Sequence, residues 1–166
     1  MNTLKKYFIC LSFIIFLKGV GYGQSLTGNY HAAIGLRAGD TSGLTFKFNS
    51  GGSSNVELLA GFWSNWLSLT ALYEKNVSAF NVNGMNWYYG AGGHVSFVTG
   101  DYYNRGRQYT RGDDFALGLD GIVGLEYKIP PIPFAVSIDI KPFMEIYRNG
   151  NFFLGIDPGI GVKFTF

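Results

Sequence analysis

His94 and Ser96 stand two residues apart in the run His94-Val95-Ser96. On an extended strand this spacing puts both side chains on one face, where an imidazole can serve as base to a hydroxyl nucleophile. The plainer reading, and the preferred one, is a histidine held by nearby carboxylates inside a polar interior. A larger set of charges recurs at alternate positions. Arg37, Lys47, Lys128, Lys141 and Lys163 stand against Glu57, Glu74, Asp120, Glu126, Asp139, Glu145 and Asp157. Both signs share one face, so they can pair there. A third group interleaves arginine with tyrosine, in Tyr102-Tyr103-Asn104-Arg105-Gly106-Arg107-Gln108-Tyr109-Thr110-Arg111. Guanidinium groups pair bidentately with phosphate, so Arg105, Arg107 and Arg111 suit a phosphate-rich surface. No His/Asp/Glu spacing points to a metal, and no cofactor motif is present.

The elements that position these groups begin after an N-terminal targeting segment. Lys5 and Lys6 precede an apolar run from Tyr7 to Leu17, and small residues follow at Gly19, Gly21 and Gly23. That is the layout of a secretory signal peptide, too short for a comfortable spanning helix. Residues 1–23 are assigned to it, and residues 24–166 to a single domain. Cys10 falls inside the apolar run, so the mature chain carries no cysteine. Removing Lys5, Lys6 and Lys18 leaves ten basic against eleven acidic residues. A near-neutral chain argues against nucleic acid as partner.

Period-two alternation dominates the domain, and helical periodicity is nearly absent. Eight segments read as strands, at roughly 30–39, 43–49, 55–63, 66–75, 86–98, 115–128, 133–147 and 152–166. In the last, Leu154, Ile156, Pro158, Ile160, Val162, Phe164 and Phe166 oppose Gly155, Asp157, Gly159, Gly161, Lys163 and Thr165. The polar face is rich in glycine, which marks crowded places rather than a solvated exterior. The apolar face is almost free of charge, as lipid contact requires. Polar side chains therefore point inward and apolar ones outward. With the N-terminus in the periplasm, Phe48, Tyr73, Trp87, Tyr89, Tyr127, Phe134, Phe164 and Phe166 gather at the periplasmic rim. Phe62, Trp66, Phe97 and Phe115 gather at the other, giving two aromatic belts. The longest connection, 99–114, lies on the outer side.

The ending Gly161-Val162-Lys163-Phe164-Thr165-Phe166 resembles the C-terminal signal read by barrel-assembly machinery, with Phe164 and Phe166 as its aromatic positions. With the signal peptide and the glycine-rich strands, the mature chain resembles the small eight-stranded outer-membrane β-barrel proteins of Gram-negative bacteria. The resemblance implies an all-β, antiparallel up-and-down transmembrane barrel in the bacterial outer membrane. Its partners would be lipid, lipopolysaccharide and, during insertion, the assembly machinery. Functions vary widely within that architecture.

The expected role is structural or surface-interacting and non-enzymatic. Its lumen would be closed by a network of Arg37, Lys47, Glu57, Glu74, His94, Asp120, Glu126, Asp139, Lys141, Glu145, Asp157 and Lys163. One alternative rests on His94 and Ser96, which resemble the catalytic pair of outer-membrane lipid A deacylases. Phe97 stands where that family has Asn, and Gln108 where an acid would be expected. Another is a soluble ligand-binding barrel, which needs the apolar face turned inward. Pro142 and Pro158, on the apolar face of the last two strands, resemble the wall breaks of the outer-membrane palmitoyltransferase. The preferred reading of both is a local bulge that curves the wall.

Overall fold

A computed structural model describes residues 30–63, 66–98, 102–104, 107–109 and 115–166. The signal segment, Arg105 and Arg111 lie outside them. Eight long strands form the wall: β1 (Ala32–Gly39), β2 (Gly43–Gly51), β3 (Ser54–Trp63), β4 (Trp66–Ser78), β5 (Met85–Val98), β8 (Phe115–Ile129), β9 (Phe134–Tyr147) and β10 (Phe152–Thr165). Two short strands, β6 (Tyr102–Asn104) and β7 (Arg107–Tyr109), pair as a hairpin within the 99–114 connection. Sequence reading missed that hairpin because its polar residues show no apolar alternation.

The wall closes as an antiparallel up-and-down barrel in which each wall strand pairs with the next wall strand along the chain, β5 with β8 across the β6–β7 hairpin, and β10 returns to β1. The β1–β10 seam is held from Ala33↔Thr165 to Gly39↔Gly159. Beyond it, the His31 and Ala32 amides donate to the Phe166 carbonyl, and the Phe166 amide donates to Ala32. Closure gives every wall strand a partner on both sides, the condition for strands to stand in hydrocarbon.

The alternation sets the two faces. Leu36, Leu119, Leu154, Ile160 and their equivalents point outward and are exposed, while Lys47, Glu74, Asp157 and Lys163 are buried. A soluble barrel would show the reverse. Aromatic side chains pack at both ends of the outward face: Phe134 on Phe164 and Phe80 on Trp87 at the terminal end, Phe97 on Phe115 at the other.

The bulge expected at the prolines is absent. The β8–β9 register is unchanged across Pro142, with Asp120↔Phe143 on one side and Val123↔Ile140 on the other. Proline has no N–H to donate, so the ladder lapses locally at Gly121 and Ile122 without an inserted residue. Pro158 lies just past the end of the β1 pairing, and the β9–β10 ladder runs through it unbroken. Among the described residues the register shifts between Asn49 and Gly51, where β2 turns into β3.

Candidate functional site: the lumen network

Every wall strand sends at least one of the sequence-singled groups into the interior. Nearest the terminal end, Lys47 Nζ lies 2.8 Å from Glu74, 3.2 Å from Glu57 and 3.4 Å from Glu126. Lys163 Nζ lies 3.1 Å from both Glu57 and Glu126. Two ammonium groups thus stand among three carboxylates contributed by β3, β4 and β8. Thr45 donates to Glu57, and Tyr30, just ahead of β1, donates to Glu126. Burial and the neighbouring Glu126 push the Tyr30 hydroxyl above the usual phenol range, which keeps it a donor.

At mid-barrel, Arg37 spans two acids, with Nη2 2.6 Å from Asp139 and Nη1 2.9 Å from Asp157. Asp157 also accepts from the Asp40 amide at 2.8 Å and from the Thr41 hydroxyl. Toward the opposite end, His94 Nδ1 lies 2.8 Å from Asp120 and Nε2 3.3 Å from Glu145. Lys141 joins these two groups, 3.0 Å from Asp120 and 3.6 Å from Asp157.

Sequence reading passed over the residue that links the lower two groups. Tyr88 donates to Asp139 at 3.0 Å, and the Lys47 ammonium sits 4.2 Å from its ring centroid. Tyr88 also packs with Leu59, Leu72 and Ile122 in an apolar cluster inside the barrel. The signal was present, since all four occupy polar-face positions of their strands. Lys128 departs from the network. Its ammonium caps the proline-rich turn instead, donating to the Ile132 carbonyl at 2.7 Å.

The glycines make room for these side chains. A Cβ on Gly118 would fall 2.1 Å from the His94 ring, and one on Gly124 would fall 2.4 Å from Tyr88. Gly159 does the same for Arg37 and Gly155 for Phe143. Gly118, Gly124 and Gly155 each stand directly across the ladder from the group they admit.

His94 and Ser96 both face the lumen, at 8 % and 1 % exposure. The two imidazole nitrogens face Asp120 and Glu145, and the Ser96 hydroxyl has no hydrogen-bond partner among the described residues. The structure therefore shows no base–nucleophile contact and no exposure of the pair to the outer face. Phe164 and Phe166 lie outward at the terminal rim, and the backbone places Arg107 in β7.

No protein-family model and no curated protein matches the chain. Solved structures do. The N-terminal β-barrel domain of Pseudomonas aeruginosa OprF is similar at TM-score 0.57 and 14 % identity, over 81 % of this chain and 95 % of that one. Neisserial surface protein A is similar at TM-score 0.52 and 13 % identity, over 81 % of this chain and 93 % of that one. The chain shares with these bacterial proteins the fold of a small closed β-barrel.

Proposed function

We propose that this chain is a non-enzymatic bacterial outer-membrane barrel, with a structural or surface-interaction role and a lumen closed by its own side chains. The observation that carries this reading is the network itself. Charged or ionisable groups from all eight wall strands meet inside, bridged by Lys141 and Tyr88 into one connected set. The apolar exterior with aromatic rims supports the membrane location, as does the shared fold. An eight-stranded wall leaves an interior just wide enough for side chains to fill. The termini would lie in the periplasm and the 99–114 connection outside, where Arg105, Arg107 and Arg111 would meet lipopolysaccharide phosphate. Phe164 and Phe166 would serve recognition by assembly machinery.

Planar-bilayer recording tests the closed lumen: inserted protein should give no unitary conductance steps, and regular steps would overturn the reading. Mass spectrometry of lipid A from membranes with and without the protein tests the absence of chemistry. A Ser96-dependent loss of an acyl chain would refute it. Replacing Arg105, Arg107 and Arg111 together by glutamine should weaken lipopolysaccharide association, and undiminished association would remove the loop from the proposal.

A further inference from the structure

Lys75 is the one charged side chain on the outward face of the wall strands among the described residues. It lies on β4 near the terminal end, exposed, with Ser54 of β3 directly across on one side and Tyr89 of β5 on the other. Tyr73, Tyr89 and Trp87, each about half exposed, surround it in the aromatic rim. A lysine here is costly if it meets only hydrocarbon and favourable if it meets an anion at the interface. From Lys75 toward mid-barrel the wall surface falls away. Tyr73 faces Ala91, and Ala71 faces Gly93, across the β4–β5 ladder. There an apolar groove opens, part of a space of about 850 Å³ that runs around the wall from Ile34 of β1 to Leu117 of β8 and is lined here by Leu69, Ala71, Gly93 and Val95. Ala71 is four residues from Lys75, about 13 Å along a strand, which is within the reach of an acyl chain.

We propose that Lys75 and this groove form a binding site for one anionic glycerophospholipid of the periplasmic leaflet. The phosphate pairs with the Lys75 ammonium, with the Ser54 and Tyr89 hydroxyls beside it. One acyl chain runs over Ala91 and Gly93 into the groove. The leaflet rests on the orientation given under the proposed function, with the termini in the periplasm.

The test uses protein expressed from the full chain, purified and reconstituted into phosphatidylcholine vesicles carrying a minor fraction of phosphatidylglycerol, then examined by native mass spectrometry. The native sequence should retain one phosphatidylglycerol in preference to phosphatidylcholine. Lys75→Gln should lower that retention about fivefold, the effect of one interfacial cation. Ala71→Phe, which blocks the groove at its β4–β5 part and leaves the cation, should lower it as well, and Lys128→Gln should not. Heat-modifiable gel migration confirms that each variant is a closed barrel. Equal retention by Lys75→Gln and the native sequence overturns the site, as does an equal loss in Lys128→Gln. Orientation is read separately, from a cysteine at Asn83 and an impermeant maleimide on intact cells. No labelling is expected, and labelling would overturn the orientation and the leaflet assignment whatever the retention shows.

Discussion

Lys47 holds three carboxylates, and among the described residues Glu74 has no other cation within salt-bridge distance. Lys47→Met should leave buried charge uncompensated and cost about 3–5 kcal/mol, measurable by urea unfolding in lipid vesicles. Adding Glu74→Gln should recover part of that loss, because the orphaned acid is then neutral. Recovery of nothing would mean that the two residues do not act as a pair. Arg37→Lys keeps the charge but cannot span Asp139 and Asp157 with a planar fork. A loss of about 1.5–3 kcal/mol is expected in the same assay. Ser96→Ala removes a buried hydroxyl that has no partner among the described residues and should leave stability unchanged or slightly raised. At this scale the sequence showed which residues would face inward. It did not show which acid each cation would meet, because Arg37 and Asp139 are 102 positions apart and their contact depends on closure.

Strand positions were legible to within a few residues because one face of each strand must be apolar and the other polar. The role of the lumen glycines was not, since it depends on what stands across the ladder. Gly124→Ala should force the Tyr88 ring away from Asp139 and Lys47, at about 1–3 kcal/mol. Native-like unfolding of that variant would show that the ring has room to move. Pro142 presents the opposite case. Pro142→Ala supplies the missing amide donor and should slow hydrogen exchange at Gly121 and its neighbours, whereas unchanged exchange would show that the ladder lapses there for another reason. The bulge anticipated from the sequence failed for a physical reason: proline removes a donor, but only an inserted residue shifts register.

Closure of the whole wall depends on the short β1–β10 seam, and Phe166 completes it with backbone hydrogen bonds that any residue but proline could make. Phe166→Ala should therefore leave the unfolding midpoint of inserted barrels nearly unchanged while lowering the yield of insertion in cells. A lowered midpoint at normal yield would make its role packing rather than recognition. The sequence by itself pointed to a β-barrel turned apolar side out, because glycine crowds the polar face, as a solvated exterior would not require, and the apolar face is almost free of charge, as lipid contact requires. Closure decided the rest. Only the curved wall brings Lys47 among three acids from three strands, places Tyr88 between two charge clusters and sets His94 between Asp120 and Glu145. Those contacts join residues distant in sequence, and no local pattern encodes the distance across a lumen.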